Sequence, residues 1–333
     1  MRFLIRALAA GVMILSAAAA AQGPSIGSEP ALSSSKGQAY PSRPIRVLLP
    51  FAGGTDAVAR LLAPKLSAAL GQPVLPEQRL GAGGNIAHRA LAEAAPDGYT
   101  LLMAAPPLVI NPHLNPNAGF DPLRDFAAIA YLTAIANVLV VHPKVAAKTL
   151  DELIALARAN PGKLSYGSGG VGSSNHLALE LLKTRAKIDI LHVPYKSATL
   201  ALTGLLAGEV DVVAVAASST VAYVKDGRLR ALAVLDTKRS SAMPDVPTAA
   251  EAGTPLAAVN WYVLLAPAGT PRPTVERLNA EAVRAVHAPD VRERLQGLGG
   301  EPMSGSPGDA AAFLKGEYEQ WGKVIRDAGI KAE

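Results

Sequence analysis

Short apolar runs that are typical of buried β-strands alternate along the chain with segments of helical periodicity. The first run, IRVLLP at residues 45–50, precedes a Gly-Gly turn and a segment in which Val58, Leu62 and Leu66 share one helical face. This pattern predicts a strand and then a helix over about residues 55–70, with Gly71 as its end.

Further strand-like runs, separated by helical segments, occupy the middle of the chain. They are YTLLMAA, NVLVVHP, LSYGS, IDILHVPY, VDVVAVA and RLRALAVL. Helices are expected to open at the capping residue Thr149 and to begin near Asn175, Ala198 and Thr220. This alternation predicts an α/β fold with largely parallel sheets.

The C-terminal part is predicted to be more helical. One more strand, NWYVLLAP, precedes helices over residues 273–286, 291–298 and 307–328. Ser306 is expected to cap the last of these helices, with a proline at its first position. Its apolar face, formed by Leu314, Tyr318, Trp321 and Ile325, predicts that this helix packs against the rest of the fold.

Residues 1–22 have the pattern of a secretory signal peptide. Arg2 and Arg6 supply the positive start, residues 7–15 the apolar centre, and Ala21 ends a small-residue cleavage site. The apolar centre is shorter than the roughly 20 residues that span a bilayer. We therefore expect cleavage near Ala21 and export to the periplasm, with a disordered Gly-, Ser- and Pro-rich leader over residues 23–39.

Composition argues against several function classes. The chain has no cysteine, and none of its six histidines lies at metal-ligand spacing from another. No basic run is longer than Lys238-Arg239, and aromatic residues make up only 5% of the chain, whereas a nucleic-acid-binding face requires clustered basic residues. We expect no metal, no cofactor and no nucleic-acid partner, and a monomer.

The segment YGSGGVGSSNH carries the letters of a dinucleotide fingerprint at Gly167, Gly169 and Gly172. A dinucleotide site also needs a strong preceding strand and an acid at the end of the next strand, whereas Asp189 precedes its strand. Two interpretations remain open. The glycines and serines form an anion-binding helix N-terminus, or they form a simple turn that Ser173 or Ser174 caps.

The segment PFAGGTDAVAR at residues 50–60 has the same order of strand, Gly-Gly turn and helix start. Two such loops in different halves of an α/β chain would provide two facing anion-binding edges. Asp56 has two possible roles in this segment. It either pairs with Arg60 one helical turn later or orients a polar group of the ligand.

Five segments together resemble the Bug family, the exported solute-binding receptors of tripartite tricarboxylate transporters. They are YPSRPIRVLLPFAGGTDAVARLLAPKLSAALGQPV, GAGGNIAHRALAEAAPDGYTLL, YGSGGVGSSNHLALELL, HVPYKSATLALTGLLAGEVD and NWYVLLAPAGTPRP. The resemblance implies a two-domain type II periplasmic-binding-protein fold, each domain a mixed and mostly parallel sheet flanked by helices. It also implies a small carboxylate ligand and membrane transporter subunits as partners.

The resemblance further implies domain boundaries. The first domain would comprise residues 40–137 plus 261–333 and the second residues 138–260, with NVLVVHP and VNWYVLLAP as the crossing strands. The implied ligand-binding residues lie in the two glycine loops, with His176 and Tyr195 as further candidates. The loop residues are Phe51, Ala52, Gly53, Gly54, Thr55 and Asp56, and Ser168, Gly169, Gly170, Val171, Gly172, Ser173 and Ser174.

Two segments depart from the family pattern. Residues 104–107 (AAPP) and 214–219 (AVAASS) are largely apolar where family members carry polar or acidic residues. We therefore expect an apolar wall at the end of the ligand distant from the two loops, which favours a monocarboxylate or an aromatic acid over a dicarboxylate.

The alternative function is an exported hydrolase that uses Ser173 and His176 in the same cleft. No H-E-x-x-H or G-x-S-x-G motif supports it, and no third partner for the pair is evident. We expect a receptor without enzymatic activity. In that case Gly169→Asp is expected to abolish acid binding while leaving the fold intact.

Overall fold

The strand and helix pattern of the sequence is realised in a computed structural model, which describes residues 40–331. The predicted signal peptide and leader lie outside these residues. The strands are β1 (Ile45–Leu49), β2 (Val74–Gln78), β3 (Thr100–Ala104), β4 (Phe126–Val141), β5 (Ser165–Ser168), β6 (Leu191–Pro194), β7 (Val212–Ala216), β8 (Arg230–Val234), β9 (Val259–Pro267) and β10 (Gly300–Pro302).

The helices connect these strands and cover the sheet. They are α1 (Gly54–Leu70), α2 (Asn85–Ala92), α3 (Pro107–Leu114), α4 (Leu150–Ala159), α5 (Ser174–Ala186), α6 (Ala198–Leu206), α7 (Val221–Lys225), α8 (Arg272–Val286), α9 (Pro289–Gly297) and α10 (Pro307–Asp327). Within residues 40–331, no helix is both long and apolar enough to span a membrane.

The strands follow the order β2-β1-β3-β9-β4-β7-β5-β6, with β8 and β10 also paired to β4. Pairing is parallel among β2, β1 and β3 and among β7, β5 and β6. The strands between these two groups pair antiparallel. The sheet is therefore mixed, and its parallel parts lie on either side of the long strand β4.

Strand β4 belongs to both halves of the sheet. Its first part, Phe126 to Ala136, pairs with β9, and from Asn137 onward it pairs with β7. The sequence analysis expected this strand only from Asn137, because the preceding segment FAAIAYLTAIA lacks a clear period-2 alternation. The structure shows that the segment is a largely buried continuation of the same strand.

The predicted helix after β1 is confirmed as α1, which begins at Gly54 and ends at Gly71 in a left-handed conformation with φ 69°. The sequence analysis did not identify β2, α2 or α3. The start of α3 at Pro107 agrees with the preference for proline in the first turn, where its missing N–H costs no helical hydrogen bond.

The predicted packing of the last helix is confirmed. Leu314, Trp321 and Ile325 of α10 are buried in a core cluster that also contains Trp261 of β9. Ser306 caps the helix in a reciprocal capping box with Asp309. The last helix therefore packs against β9 through this cluster.

Candidate ligand-binding cleft

Two adjoining cavities lie at the carboxyl ends of the parallel strands. The first has a volume of about 490 Å³ and the second about 370 Å³. Ser174, Ala198 and Asn260 line both, so the two cavities form one cleft. This is the position where open α/β sheets bind their ligands.

Four helices begin at the first cavity. Gly54 opens α1, Pro107 opens α3, Ser174 opens α5 and Ala198 opens α6, and all four residues line the cavity. The first N–H groups of a helix have no partner within the helix, and the macrodipole gives this end a partial positive charge. None of the described residues that line either cavity is charged. The starts of α1, α5 and α6 offer free N–H groups and are therefore the source of positive potential in the lining. The start of α3 offers none, because Pro106 and Pro107 have no N–H and the N–H groups of Leu108 and Val109 donate to Ala105 O and Pro106 O.

The first glycine loop presents the start of α1 without a side-chain cap. Gly53 has φ 113°, a region that glycine adopts without strain, and the Thr55 hydroxyl donates to Phe51 O at 2.6 Å, which closes the turn. A Cβ at Gly54 would stand 1.9 Å from the Tyr262 hydroxyl oxygen, so only glycine fits there.

Tyr262 lies on β9 between the two loops. Burial raises the pKa of its phenol to about 12, so the hydroxyl is neutral at physiological pH. Among the described residues it has no hydrogen-bond partner, and it lines the first cavity. It is a donor available to an anion in the cleft.

In the second glycine loop, Ser173 caps α5 and Asn175 anchors the turn. The Ser173 oxygen accepts from the N–H of His176 at 3.4 Å, and Asn175 Oδ1 accepts from the N–H of Gly169 at 3.2 Å. Of the two interpretations of this loop, the cap by Ser173 is present. It does not exclude anion binding, because the cap occupies only one of the free N–H groups at the start of the helix.

A chain of side-chain hydrogen bonds joins the second loop to β9 and β4. Ser174 Oγ donates to Asn260 Oδ1 at 2.8 Å, and Asn260 Nδ2 donates to Asn137 Oδ1 at 2.9 Å. Asn137 Nδ2 in turn donates to Ala258 O at 2.7 Å. Because its proton is donated to Asn260, Ser174 presents only oxygen lone pairs to the cleft.

Asn111 of α3 completes the polar lining of the first cavity. Its Nδ2 donates to Gly83 O and to Asn85 Oδ1, both at 2.8 Å. These bonds fix the amide and hold the third glycine segment, GAGGN at residues 81–85, beside the cavity. The apolar part of the lining includes Pro106 and Pro107, which belong to the predicted apolar wall.

Nine of the fifteen sequence-predicted residues line the first cavity. They are Phe51, Ala52, Gly54, Thr55, Gly169, Val171, Gly172, Ser173 and Ser174. The structure thus brings the two predicted loops together on one cavity. Gly53, Asp56, Ser168, Gly170, His176 and Tyr195 lie outside the lining of that cavity.

Asp56 takes the first of its two possible roles. Its carboxylate accepts from Arg60 at 2.7 Å and from Gln78 at 3.0 Å. These hydrogen bonds, that from Arg60 first, lower the pKa of Asp56 from its ordinary value. The side chain therefore ties α1 to the end of β2.

Three of the predicted residues outside the lining lie next to the second loop. They are Ser168, His176 and Tyr195. Ser168 is buried and lies 2.6 Å from Nε2 of His192, and His176 Nδ1 accepts from the N–H of Gly172. Burial, followed by the nearby His192, lowers the pKa of His176 to about 4. The Tyr195 hydroxyl donates to Glu209 at 3.0 Å.

The Ser173 and His176 side chains do not form a nucleophile–base pair. The Ser173 hydroxyl donates to Gly170 O at 2.6 Å, and the His176 ring nitrogen Nδ1 accepts from a backbone N–H. A hydrolase would require a hydrogen bond between the hydroxyl and the imidazole.

Three polar or aromatic residues of the first cavity were not predicted from the sequence, nor was the glycine at position 83. The three residues are Asn111, Asn260 and Tyr262. Asn260 and Tyr262 lie in VNWYVLLAP, the segment predicted to be a crossing strand, so their position in the chain was the one signal that could have identified them. No local signal marks Asn111.

Comparison with known proteins places the chain in a family. A family model described as "Tripartite tricarboxylate transporter family receptor" matches residues 58–330. The chain belongs to this family. The match confirms the predicted resemblance to Bug receptors and the interpretation as a solute-binding receptor.

Two relatives match over most of their length. A UPF0065 protein from Pseudomonas sp. (strain P51), located in the tcbD-tcbE intergenic region, is 40% identical over 88% of this chain and 89% of its own. Protein BugT of Bordetella pertussis (strain Tohama I) is 36% identical over 88% of this chain and 91% of its own.

Two solved structures have similar folds. A protein of R. palustris with adipate is 33% identical, with a TM-score of 0.76 over 88% of this chain and 99% of the other. MatC from Rhodopseudomonas palustris, with bound malate, is 34% identical, with a TM-score of 0.73 over 86% of this chain and 100% of the other. The predicted two-domain type II periplasmic-binding-protein fold is confirmed.

Proposed function

We propose that the protein is a periplasmic receptor that captures a small organic carboxylate in the cleft and delivers it to the membrane subunits of a tripartite tricarboxylate transporter. The observation that carries this proposal is the convergence of three helix starts with free N–H groups, those of α1, α5 and α6, on a cavity whose described lining contains no charged residue. Such a lining stabilises a bound anion through backbone N–H groups, although no positively charged side chain lines the cavity.

The carboxylate is held mainly by backbone N–H groups at the starts of α1 and α5. Each helix N-terminus stabilises a negative charge by about 0.3–1 kcal/mol in exposed settings and up to about 2 kcal/mol where it is partly buried. The Tyr262 hydroxyl adds a neutral donor from the crossing strand.

The structures of similar proteins with adipate and malate support a carboxylate ligand for this chain. The family description supports a transporter as its partner. The pattern of residues 1–22 supports export, with cleavage near Ala21.

The ligand is enclosed by closure of two domains, residues 40–137 plus 261–333 and residues 138–260, about the crossing strands β4 and β9. The hydrogen-bond chain from Ser174 to Asn137 supports this mechanism, because it connects one binding loop to the point where β4 changes its partner strand. The receptor acts as a monomer.

A pair of variants at Val171 tests the proposal. Val171 lines the first cavity and is only half-buried, so the fold tolerates a polar residue there. Val171→Asp is expected to abolish acid binding through like-charge repulsion, whereas the neutral Val171→Asn is expected to retain most of the affinity.

The readout is a thermal-shift screen of the mature protein against an organic-acid library, followed by calorimetry on the acids that respond. A bound acid at a hundredfold excess over Kd stabilises the folded state by about 2.7 kcal/mol. If no acid raises the unfolding midpoint, or if Val171→Asp binds as the original protein does, the carboxylate site is not where we place it. Turnover of a simple ester panel that is lost in Ser173→Ala would instead support the hydrolase.

A further inference from the structure

The second cavity, of about 370 Å³, extends the ligand site into the half of the molecule that carries α5, α6 and β7. It opens onto the first cavity at Ser174, Ala198 and Asn260. A ligand whose carboxylate lies at the helix N-termini would therefore direct its other end into this space. For scale, an apolar cavity of about 150 Å³ accommodates benzene.

Part of the lining of the second cavity is apolar. It is formed by Leu202 of α6 and by Ala214, Val215 and Ala216 at the end of β7. Three of these residues are buried. Ala214, Val215 and Ala216 are half of the segment AVAASS, for which an apolar wall is predicted from the sequence.

Other lining residues carry hydroxyl groups. They are Thr199, Ser219 and Tyr223, and their hydroxyls have no hydrogen-bond partner among the described residues. Asn175 also contributes to the lining. It is 4% exposed, and its Nδ2 is a buried donor without a partner in the described part of the chain.

No charged side chain lines the second cavity. Arg228 contacts a lining residue: its guanidinium lies 5.1 Å from the centre of the Tyr223 ring and is exposed to solvent. An exposed charge is screened by water and salt, whereas a carboxylate moved into a half-apolar space without a partner loses its hydration. The second cavity therefore disfavours a second carboxylate.

We propose, on the basis of the carboxylate receptor function above, that the second cavity is a specificity subsite for the distal part of a monocarboxylate. The distal part is apolar or aromatic and carries an uncharged oxygen acceptor, such as a ketone, amide or hydroxyl group. The hydroxyls of Thr199, Ser219 and Tyr223 donate to that oxygen, and Leu202 with the end of β7 packs against the hydrocarbon.

Three acids of equal chain length test the chemistry of the subsite by calorimetry. They are pentanoate, 4-oxopentanoate and glutarate, which end in a methyl group, a methyl ketone and a second carboxylate. We expect 4-oxopentanoate to bind about tenfold more tightly than pentanoate, as one neutral hydrogen bond supplies, and glutarate to bind no better than pentanoate. The double variant Ser219→Ala/Tyr223→Phe is expected to reduce the ketone advantage to less than threefold. Ser218→Ala is its control, because Ser218 is exposed and lies outside the lining.

A matched pair of tryptophan variants tests the location. Thr199 lines the cavity, whereas the next residue, Leu200, is exposed on the same helix and does not. Thr199→Trp is expected to weaken the binding of 4-oxopentanoate at least tenfold and to leave that of propanoate within twofold, whereas Leu200→Trp leaves both unchanged. The proposed subsite would be overturned if glutarate bound most tightly of the three five-carbon acids, or if Thr199→Trp left the binding of 4-oxopentanoate unchanged. Failure of all four acids to bind would overturn the receptor function as well, so the two failures are distinguishable.

Discussion

The backbone of Gly54 lies directly beneath the hydroxyl of Tyr262, so that a Cβ at position 54 would stand 1.9 Å from that oxygen and 2.8 Å from the ring carbon Cζ. Gly54 is the first residue of α1, and Tyr262 belongs to the crossing strand β9. The contact places the uncapped start of α1 beside the only aromatic hydroxyl that lines the first cavity among the described residues. The contact between Gly54 and Tyr262 therefore fixes the distance between the start of α1 and β9 at the first cavity.

Gly54→Ala is expected to lower the free energy of unfolding by about 1–3 kcal/mol, because the Tyr262 ring is buried and cannot move away freely. Ligand binding should weaken as well, since Tyr262 lines the site. Gly316→Ala is the control, because a Cβ there meets nothing within 4 Å, and it should stabilise α10 by about 0.5–1 kcal/mol. Adding Tyr262→Phe should recover part of the loss in urea unfolding. No recovery would show that the clash lies elsewhere.

Ser174→Ala should weaken acid binding about fivefold to tenfold with less than about 1 kcal/mol of lost stability, because it removes one neutral hydrogen bond that orients Asn260. The neighbouring Ser173→Ala should lower stability by about 1 kcal/mol, because it removes the cap of α5. Calorimetry and urea unfolding separate the two effects. If Ser174→Ala destabilises the fold as much as Ser173→Ala does and leaves acid binding unchanged, Ser174 does not orient Asn260 for ligand binding.

Glu317→Ala should lower the free energy of unfolding by about 2–4 kcal/mol. Glu317 accepts from the indole N–H groups of Trp261 at 2.7 Å and Trp321 at 2.9 Å, and its removal leaves both buried donors without a partner. Glu317→Gln retains an acceptor oxygen, so its free energy of unfolding should fall by less than that of Glu317→Ala. Glu319→Ala, on the same helix but exposed, should change stability by less than about 0.5 kcal/mol. A similar loss in both alanine variants would argue against the tryptophan bridge.

Buried histidines should make the fold less stable in mild acid. Burial lowers the pKa of His88 to about 3 and that of His176 to about 4, against about 6.5 in the unfolded chain. The unfolded state therefore binds more protons below pH 6.5. The free energy of unfolding is therefore highest above that pH. Each of the two histidines lowers it by about 2 kcal/mol when the pH falls to 5.

His88→Leu isolates one of these contributions. Neither imidazole nitrogen of His88 has a partner among the described residues, so the variant should be as stable as the original protein at pH 7.5. Between pH 7.5 and pH 5, its free energy of unfolding should fall by about 2 kcal/mol less than that of the original protein. His287→Gln, at an exposed position, is the control. A large loss of stability in His88→Leu at pH 7.5 would reveal a hydrogen-bond partner for the imidazole.

One expected variant effect is corrected by the structure. Gly169→Asp was expected to abolish acid binding without disturbing the fold. A Cβ at position 169, however, would stand 3.0 Å from the backbone nitrogen of Ala198 and 3.3 Å from the carbonyl carbon of Ser197. Because a backbone neighbour cannot rotate away, this variant would also shift the second loop relative to the start of α6 by a few tenths of an ångström. Val171→Asp avoids the contact.

Local sequence patterns were sufficient for the elements whose signals are local. The cap residues Thr149 and Ser306 open α4 and α10 as predicted, and Gly71 ends α1 in the left-handed conformation. The long strand β4 was underestimated, because its first half has small residues at positions where a strand usually alternates. Its register depends on β9, which lies more than a hundred residues later in the chain.

The α/β alternation, the two glycine loops and the family can be inferred from the amino-acid sequence, because each depends on spacings within a few residues and on the order of several motifs. The folded molecule was needed to show that Asn111, Asn260 and Tyr262 meet those loops at one cavity, and that Asp56 and His176 lie outside its lining. A cleft lined by helix N-termini is assembled by sheet pairing between strands that are distant in the chain. The side chains that complete it carry no local pattern of their own.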